Sequence, residues 1–374
     1  MVQYNVDFFT RDLVFVHNDS ASITAITEDY ISVQNNTIEI GLSEKVQNGQ
    51  FLYMRSDIDT FFGVVTDVKP GKDVMTVSYK SFLCLFDEDV LFDTDLQKQN
   101  TTNPSGGAKI NSKSLERMLK DMIEETYVRS EDTAQNLRLI IEAETNTTQW
   151  GFNLKSDTEG THYCIIGLYS VLLVNSLKKY GVALRAVPDF ANRYLHIYIR
   201  AQSGFDVLDI DGDLDNVTVK TLKMNDRPNG TNKLTVYNTD DYSLSLDFYV
   251  HSDRSWSVED TDRITPVVRE VKAAMPDSSI EDPDEAFVEA ALDVAYGVLS
   301  GLAWNNLIEL ELAPADELVN PTALLFGQKI RLHYKEGTYE SILTGRSITD
   351  ESITLMFGSE RISFTKRYKM NGGA

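Results

Sequence analysis

Apolar and polar positions alternate through the first quarter of the chain. ITAITEDYISV, NTIEIGL, FFGVVTDV and VMTVSYKSFLCLF are short, rich in β-branched and aromatic residues, and separated by turn chemistry such as Lys69-Pro70-Gly71-Lys72. These read as strands. Residues 96–111, LQKQNTTNPSGGAKIN, collect Asn, Thr, Pro, Ser and Gly and read as a linker. The period then changes. Leu115, Met118, Leu119, Met122 and Ile123 recur at helical spacing, with Glu116, Lys120 and Glu124 on the opposite face and Ser112 as the expected cap. A second helix is expected over 166–180, with Lys178 and Lys179 in its last turn and Gly181 ending it. A third begins at Asp282-Pro283-Asp284-Glu285 and runs to a stop near Gly301. Between these helices lie VALRAV, YLHIYIRAQ, KLTVYN and SLSLDFYVH, which read as strands. From Trp304 onward strands return: NLIELELA sets Ile308, Leu310 and Leu312 on one face and Glu309 and Glu311 on the other.

The two β-rich ends repeat one another. Residues 49–86 align without a gap on 327–364, a constant spacing of 278 residues. Gly49, Gln50, Thr60, Thr66, Thr76, Ser81 and Phe86 meet Gly327, Gln328, Thr338, Thr344, Thr354, Ser359 and Phe364. Apolar residues face apolar residues between them: Leu52 and Ile330, Met54 and Leu332, Phe61 and Tyr339, Tyr79 and Phe357. Such agreement keeps the same face of each strand buried in both copies. Upstream, NNTIEIGL (35–42) matches NNLIELEL (305–312) at a spacing of 270, so the second copy is expected to hold eight extra residues before its Gly-Gln pair. Two copies are too few for a solenoid. The expected fold is α+β and mostly β, with two similar small β-barrel or sandwich domains flanking an α+β insertion. The first domain is residues 1–95, followed by the linker. The middle region is 112–303, divisible near 202–235, and the second β domain is 304–374, repeating 30–90.

Composition changes this picture little: 42% hydrophobic, 25% charged and 10% aromatic residues describe a globular chain. No apolar run is long enough to span a membrane, and the N-terminus lacks a secretory signal pattern, so synthesis in the cytoplasm is the expectation. A net charge of −22 is a poor footprint for nucleic-acid binding, which wants clustered Lys and Arg. Cys84 and Cys164 sit in apolar strings and read as buried small hydrophobes.

Candidate chemistry is sparse. His17, His162, His196, His251 and His333 are scattered, with no pair at metal-ligand spacing, and no phosphate loop, dinucleotide fingerprint or nucleophile elbow is present. His251-Ser252-Asp253 places triad residue types side by side, but triads converge from separate elements. Asp209-Ile210-Asp211-Gly212-Asp213-Leu214-Asp215 could supply oxygens for weak calcium binding, yet Gly212 comes too early for an EF-hand. The favoured reading is a hairpin turn at Asp211-Gly212 between FDVLDI and NVTVKT. No catalytic, cofactor-binding or metal residue is assigned, and the chain is expected not to be an enzyme.

The string DIDTFFGVVTDVKPGKDVMTVSYKSFLCLFDEDVLFD resembles the first barrel of the tail hub proteins of siphophages that infect Gram-positive bacteria. NKLTVYNTDDY, DRITPVVREV and ILTGRSITDESITLMFGSERISFTKR resemble other stretches of these tail-associated (Tal-like) baseplate proteins, and length and acidity point to a short lactococcal-type member. The resemblance implies a homotrimer at the virion tail tip, made in the host cytoplasm. It would sit below the distal tail protein, near the tail tube or tape measure protein and the receptor-binding proteins of the baseplate. Two barrels per chain would then make a ring of six, adapting sixfold to threefold symmetry and opening for DNA passage. Longer relatives carry a wall-cleaving domain or a fibre after the hub, and neither is expected here. The competing readings are a carbohydrate-binding or host-adhesion module, with Trp150, Trp256 and Trp304 as stacking platforms, and a cell-wall hydrolase with an unrecognised site.

Overall fold

The computed structural model describes residues 2–23, 25–57, 59–93, 107–108, 114–130, 136–148, 150, 154–155, 163–201, 204, 206–224, 231–252, 255–265, 267–276, 280–300, 304–313, 324–349 and 351–359. The alternating segments form β1 (Val2–Phe9), β2 (Phe15–Ile23), β3 (Ala25–Asp29), β4 (Asn36–Gly41), β5 (Phe51–Arg55), β6 (Thr60–Pro70) and β7 (Val74–Ser81). Six of these make one sheet in the order β2-β1-β5-β6-β7-β4. Its concave side closes on Tyr4, Val6, Phe8, Leu52, Met54, Phe61, Val77 and Tyr79, all buried. Phe51, Phe62 and Val64 point the other way into a second core. That double burial is why FFGVV is an unbroken apolar run instead of an alternating one.

The middle of the chain contributes β8 (Asp89–Asp93), β9 (Gly107–Ala108), α1 (Leu115–Tyr127), β10 (Leu139–Ala143), β11 (Leu154–Lys155), β12 (Tyr163–Gly167), α2 (Val174–Tyr180), β13 (Val182–Asp189) and β14 (Tyr194–Ala201). β10, β14 and β13 form a three-stranded sheet. Leu115, Leu119 and Ile123 of α1 and Leu177 of α2 share one core with it and with the outer face of the first unit. Of the expected linker only Gly107 and Ala108 are described, as β9 paired with β11. Three details differ from the sequence reading. The cap of α1 is Ser114, whose hydroxyl accepts from the Arg117 N–H; Ser112 lies outside the described residues. Glu116 is fully buried instead of solvated, because Thr145 and Thr148 donate their hydroxyls to its carboxylate at 2.8 Å. The helix expected over 166–180 begins later: Ile166 and Gly167 belong to β12, Leu168–Leu173 is a π-helical stretch, and α2 ends at Gly181 with φ 64°.

After these come β15 (Leu208–Asp211), β16 (Val217–Met224), β17 (Lys233–Asn238), β18 (Ser245–Val250), β19 (Trp256–Ser257), β20 (Arg269–Ala274), α3 (Pro283–Leu299), β21 (Asn306–Leu312), β22 (Lys329–Tyr334), β23 (Gly337–Thr349) and β24 (Ile353–Phe357). β19-β18-β17-β20 is a separate four-stranded sheet sharing one core with Phe287, Ala291, Ala295 and Leu299 of α3. The Asp282 carboxylate caps α3 by accepting from the N–H groups of Asp284 and Glu285. The helix ends at Ser300, and Gly301 lies outside the described residues.

The second β unit is ordered β15-β22-β23-β24-β21-β16, and its β22-β23-β24 pairing reproduces β5-β6-β7 of the first in register. Phe51 faces Val64 and Lys329 faces Ile342; Met54 faces Phe61 and Leu332 faces Tyr339. The Gly49 N–H donates to the Val65 carbonyl at 2.8 Å, and the Gly327 N–H to that of Leu343 at 2.9 Å. Both glycines are left-handed, with φ 82° and 83°. Each long strand carries a bulge at the same place, Val65/Asp67 and Leu343/Gly345. All these positions are 278 residues apart. The upstream strand is a correction. Asn36 pairs with Tyr79, but Ile308, not Asn306, pairs with Phe357. The spacing there is 272, and the insertion is six residues instead of eight. A two-residue slip preserves which side chains face the core, so the apolar pattern cannot detect it. The reading of Asp211-Gly212 as a hairpin is also overturned. β15 pairs parallel with β22 while β16 pairs with β21, at opposite edges of the sheet. The fold is α+β, mostly β, with barrel-like sheets. No helix among the described residues is long and apolar enough to cross a membrane.

Candidate functional site

The two β units meet along β3. Only Thr24 separates β2 from β3, so the chain leaves the first sheet at Ile23 and enters the second at Ala25. β3 runs antiparallel to the end of β23, Ala25 opposite Thr349 through Asp29 opposite Gly345. Gly345 is required by this closeness, since a Cβ there would stand 3.2 Å from the Glu28 carbonyl oxygen. Tyr30 continues the ladder, its N–H donating to the Thr344 carbonyl at 2.9 Å.

Charge is buried at the centre of the junction. Arg346 on β23 donates from Nε to Glu28 Oε2 at 2.7 Å, and its Nη1 lies 3.4 Å from Asp59 Oδ1. Asp59 is held at the β5–β6 turn, its N–H donating to Ser56 Oγ and its carbonyl accepting from the Ser56 N–H. The residue is 1% exposed. Burial pushes its carboxyl up to about 6, against the pull of the Arg346 guanidinium. Burial also pushes the Tyr4 hydroxyl up to about 12 and that of Tyr79 higher still. One arginine on β23 thus bridges carboxylates from two other segments, β3 and the β5–β6 turn.

Tyr30 ties this junction to the middle region. Its hydroxyl accepts from the Leu184 N–H at 3.1 Å, its carbonyl accepts from the Tyr169 hydroxyl at 2.9 Å, and its ring meets Phe326 edge-on at 5.5 Å. Beside it is a cavity of about 230 Å³ lined by Glu28, Arg346, Phe62, Glu144, Tyr198 and Arg200, among others. Two of its arginines share one carboxylate: Arg185 and Arg200 stand 3.8 and 4.0 Å from Glu144. The described lining holds no His, Cys, Ser or Lys. The arrangement can fix two units against each other. Among the described residues no group of three or more His, Cys, Asp and Glu side chains could hold a metal ion.

The residues singled out in the sequence lie apart from this junction. Asp209 stands 3.3 Å from Arg331 and 3.5 Å from His333, Asp211 accepts from the Asp213 N–H, and Asp213 accepts from the Lys335 N–H. These carboxylates are engaged by protein donors. His17 stacks on Phe8, and His196 lies 3.9 Å from Glu142 and from Asp189. His251 bonds the Thr261 carbonyl and Ser257 Oγ; Asp253 and His162 lie outside the described residues. Trp150 and Trp304 are buried, and the Trp304 Nε1–H donates to the Lys178 carbonyl. Trp256 packs between Phe248 and Tyr296. Cys84 is a free thiol pushed up to about 11 by burial; the side chain of Cys164 lies outside the described residues. Sequence reasoning missed Glu28, Asp59 and Arg346. The available signal was the repeat itself, which sets Arg346 against Val68, a charge where the other copy is apolar.

No family model matches the chain, and no curated protein matches it. Among solved structures the chain is similar to a component of the phage P2 baseplate in its activated conformation with Ca, at 12% identity and TM-score 0.42, covering 96% of this chain and 99% of that one. It is similar to the 43 kDa tail protein of prophage MuSo2 from Shewanella oneidensis, at 11% identity and TM-score 0.49, covering 95% and 98%. It is also similar to prophage tail protein gp18 from Listeria monocytogenes EGD-e, at 8% identity and TM-score 0.48, covering 98% of each.

Proposed function

We propose that this chain is a structural hub of a phage tail tip or baseplate. In this reading it forms a homotrimer that closes the distal end of the tail tube, adapts sixfold to threefold symmetry and opens for DNA. The observation that supports it most directly is the duplicated β unit, with matching strand registers, joined edge to edge by β3. A chain that presents one unit twice lets three copies offer six near-equivalent surfaces, and heterologous contacts of this kind close into rings. The sequence resemblance to siphophage tail hubs points the same way. A net charge of −22 suits a conduit that must release DNA. Its neighbours would be the distal tail protein, the tail tube or tape measure protein, and receptor-binding proteins. The adhesion reading finds less support at two of its three platforms, because stacking platforms must be exposed and Trp150 and Trp304 are buried, while Trp256 is half-buried between Phe248 and Tyr296.

Native mass measurement tests the proposal. The expected species is three chains of 42.1 kDa. A strict monomer at high concentration, with no assembly on addition of tail proteins, would overturn it. So would activity on purified cell wall that disappears on changing one carboxylate.

A further inference from the structure

Among the described residues, the edge that β3 covers on the second unit has no covering strand on the first. Position for position, Thr66–Gly71 of the first unit corresponds to Thr344–Thr349 of the second. The backbone bonds agree: Gly71 N–H to Val74 carbonyl at 2.8 Å, Thr349 N–H to Ser352 carbonyl at 2.9 Å. Their surroundings do not. Thr344 and Ile348, on the strand that β3 flanks, are buried at 0% and 3% exposure, whereas Thr66, Lys69 and Pro70 are exposed and Asp67 and Val68 half-buried. No strand of the described residues pairs with this side of β6 beyond the bulge.

We infer that this half of β6, Thr66–Pro70 with Val68 at its centre, is where a second copy of the chain docks through its second β unit. Within one chain the first unit reaches across to the long strand of the second. Between chains the second unit would reach the corresponding strand of the first. A unit-to-unit contact that is heterologous within the chain leaves one such edge over, and another copy carries the matching second unit. The strand that copy offers is β16, which pairs with β21 on one side and ends the order of its sheet. The chemistry of the two edges differs. Val68 replaces Arg346, Pro70 brings no N–H, and Asp67 stands where Gly345 makes room for β3. The docked segment therefore makes fewer backbone bonds than β3 and leans on Val68. Lys69 and Pro70 also blunt the edge against indiscriminate pairing. This inference rests on the oligomeric reading above and adds its surface.

A photo-crosslinking benzoylphenylalanine at Val68 of the full chain tests it. Irradiation is expected to yield two-chain and three-chain species, with adducts mapping to residues 206–224 or 304–359 of the other copy. In parallel, Val68→Lys is expected to weaken association at least tenfold by sedimentation velocity while circular dichroism keeps the wild-type fold. A trimeric wild type whose adducts are intrachain, absent, or in the first unit of the other copy would overturn the edge assignment and leave the oligomeric reading standing. A wild type that stays monomeric would remove both.

Discussion

Arg346 faces two buried carboxylates, those of Glu28 and Asp59, from its place on β23. Replacing it by Met removes the guanidinium and leaves Glu28 and Asp59 facing each other in the interior. Breaking a buried pair in this way costs about 3–5 kcal/mol, read as a lowered urea midpoint. Asp59 has the opposite sign. Its folded pKa of about 6 exceeds its ordinary value of 3.8, so between those values the folded chain holds more protons than the unfolded one. The stability this group contributes is therefore greatest below pH 4, falls as pH rises to about 6, and stays low above that. Asp59→Asn is expected to stabilise the chain by about 3 kcal/mol at pH 8, because each tenfold change in proton affinity is worth about 1.4 kcal/mol. The gain should vanish near pH 4, measured as the difference between variant and wild-type urea midpoints across that range. Comparing the two proteins cancels the general relief of acidic self-repulsion.

Among elements, the paired turns before β5 and β22 offer a controlled comparison. Gly49 and Gly327 share a left-handed backbone, and alanine costs about 1 kcal/mol for that conformation at either site. A Cβ at Gly49 meets nothing within 4 Å, while one at Gly327 would stand 3.1 Å from the Gly181 carbonyl oxygen. Gly327→Ala should therefore lower the thermal midpoint clearly more than Gly49→Ala. The same backbone motif is free in one copy and wedged against the end of α2 in the other. At the start of α3, Asp282→Ala removes the acceptor for two helical N–H groups and should cost about 1 kcal/mol. Hydrogen exchange confined to α3 and the four-stranded sheet would check it, since that core is separate from the others.

At the scale of the whole molecule, the two β units are built alike but are not interchangeable. The first shares a large core with α1, α2 and the three-stranded sheet. The second is tied to the first by β3 and to the middle of the chain by β15 and β16, its two edge strands. Unlike edges on like units are what a closed ring with a fixed direction requires. With 57 acidic against 35 basic residues, the molecule is expected to leave duplex DNA unshifted in a gel at low salt, where nonspecific binding would be strongest. A shift there would contradict a conduit role.

Much of this architecture was written locally. Alternation in NTIEIGL and VMTVSYK, the Asp-Pro start of α3 and the glycine after Tyr180 act within a few residues, through backbone sterics and hydrogen bonding. The repeat was visible because burial of one sheet face constrains every second side chain in both copies. The tertiary structure alone decided what locality does not encode. The offset of the upstream strand slipped by two because positions two apart are equivalent to the pleat. Asp211-Gly212 looks like a hairpin turn, yet its flanking strands belong to opposite edges of one sheet. Glu28 and Arg346 lie 318 residues apart in sequence, and neither carries a mark of its partner. Only the ladder between β3 and β23 brings them together, because a buried charge is tolerated there by pairing and nowhere along the chain by pattern.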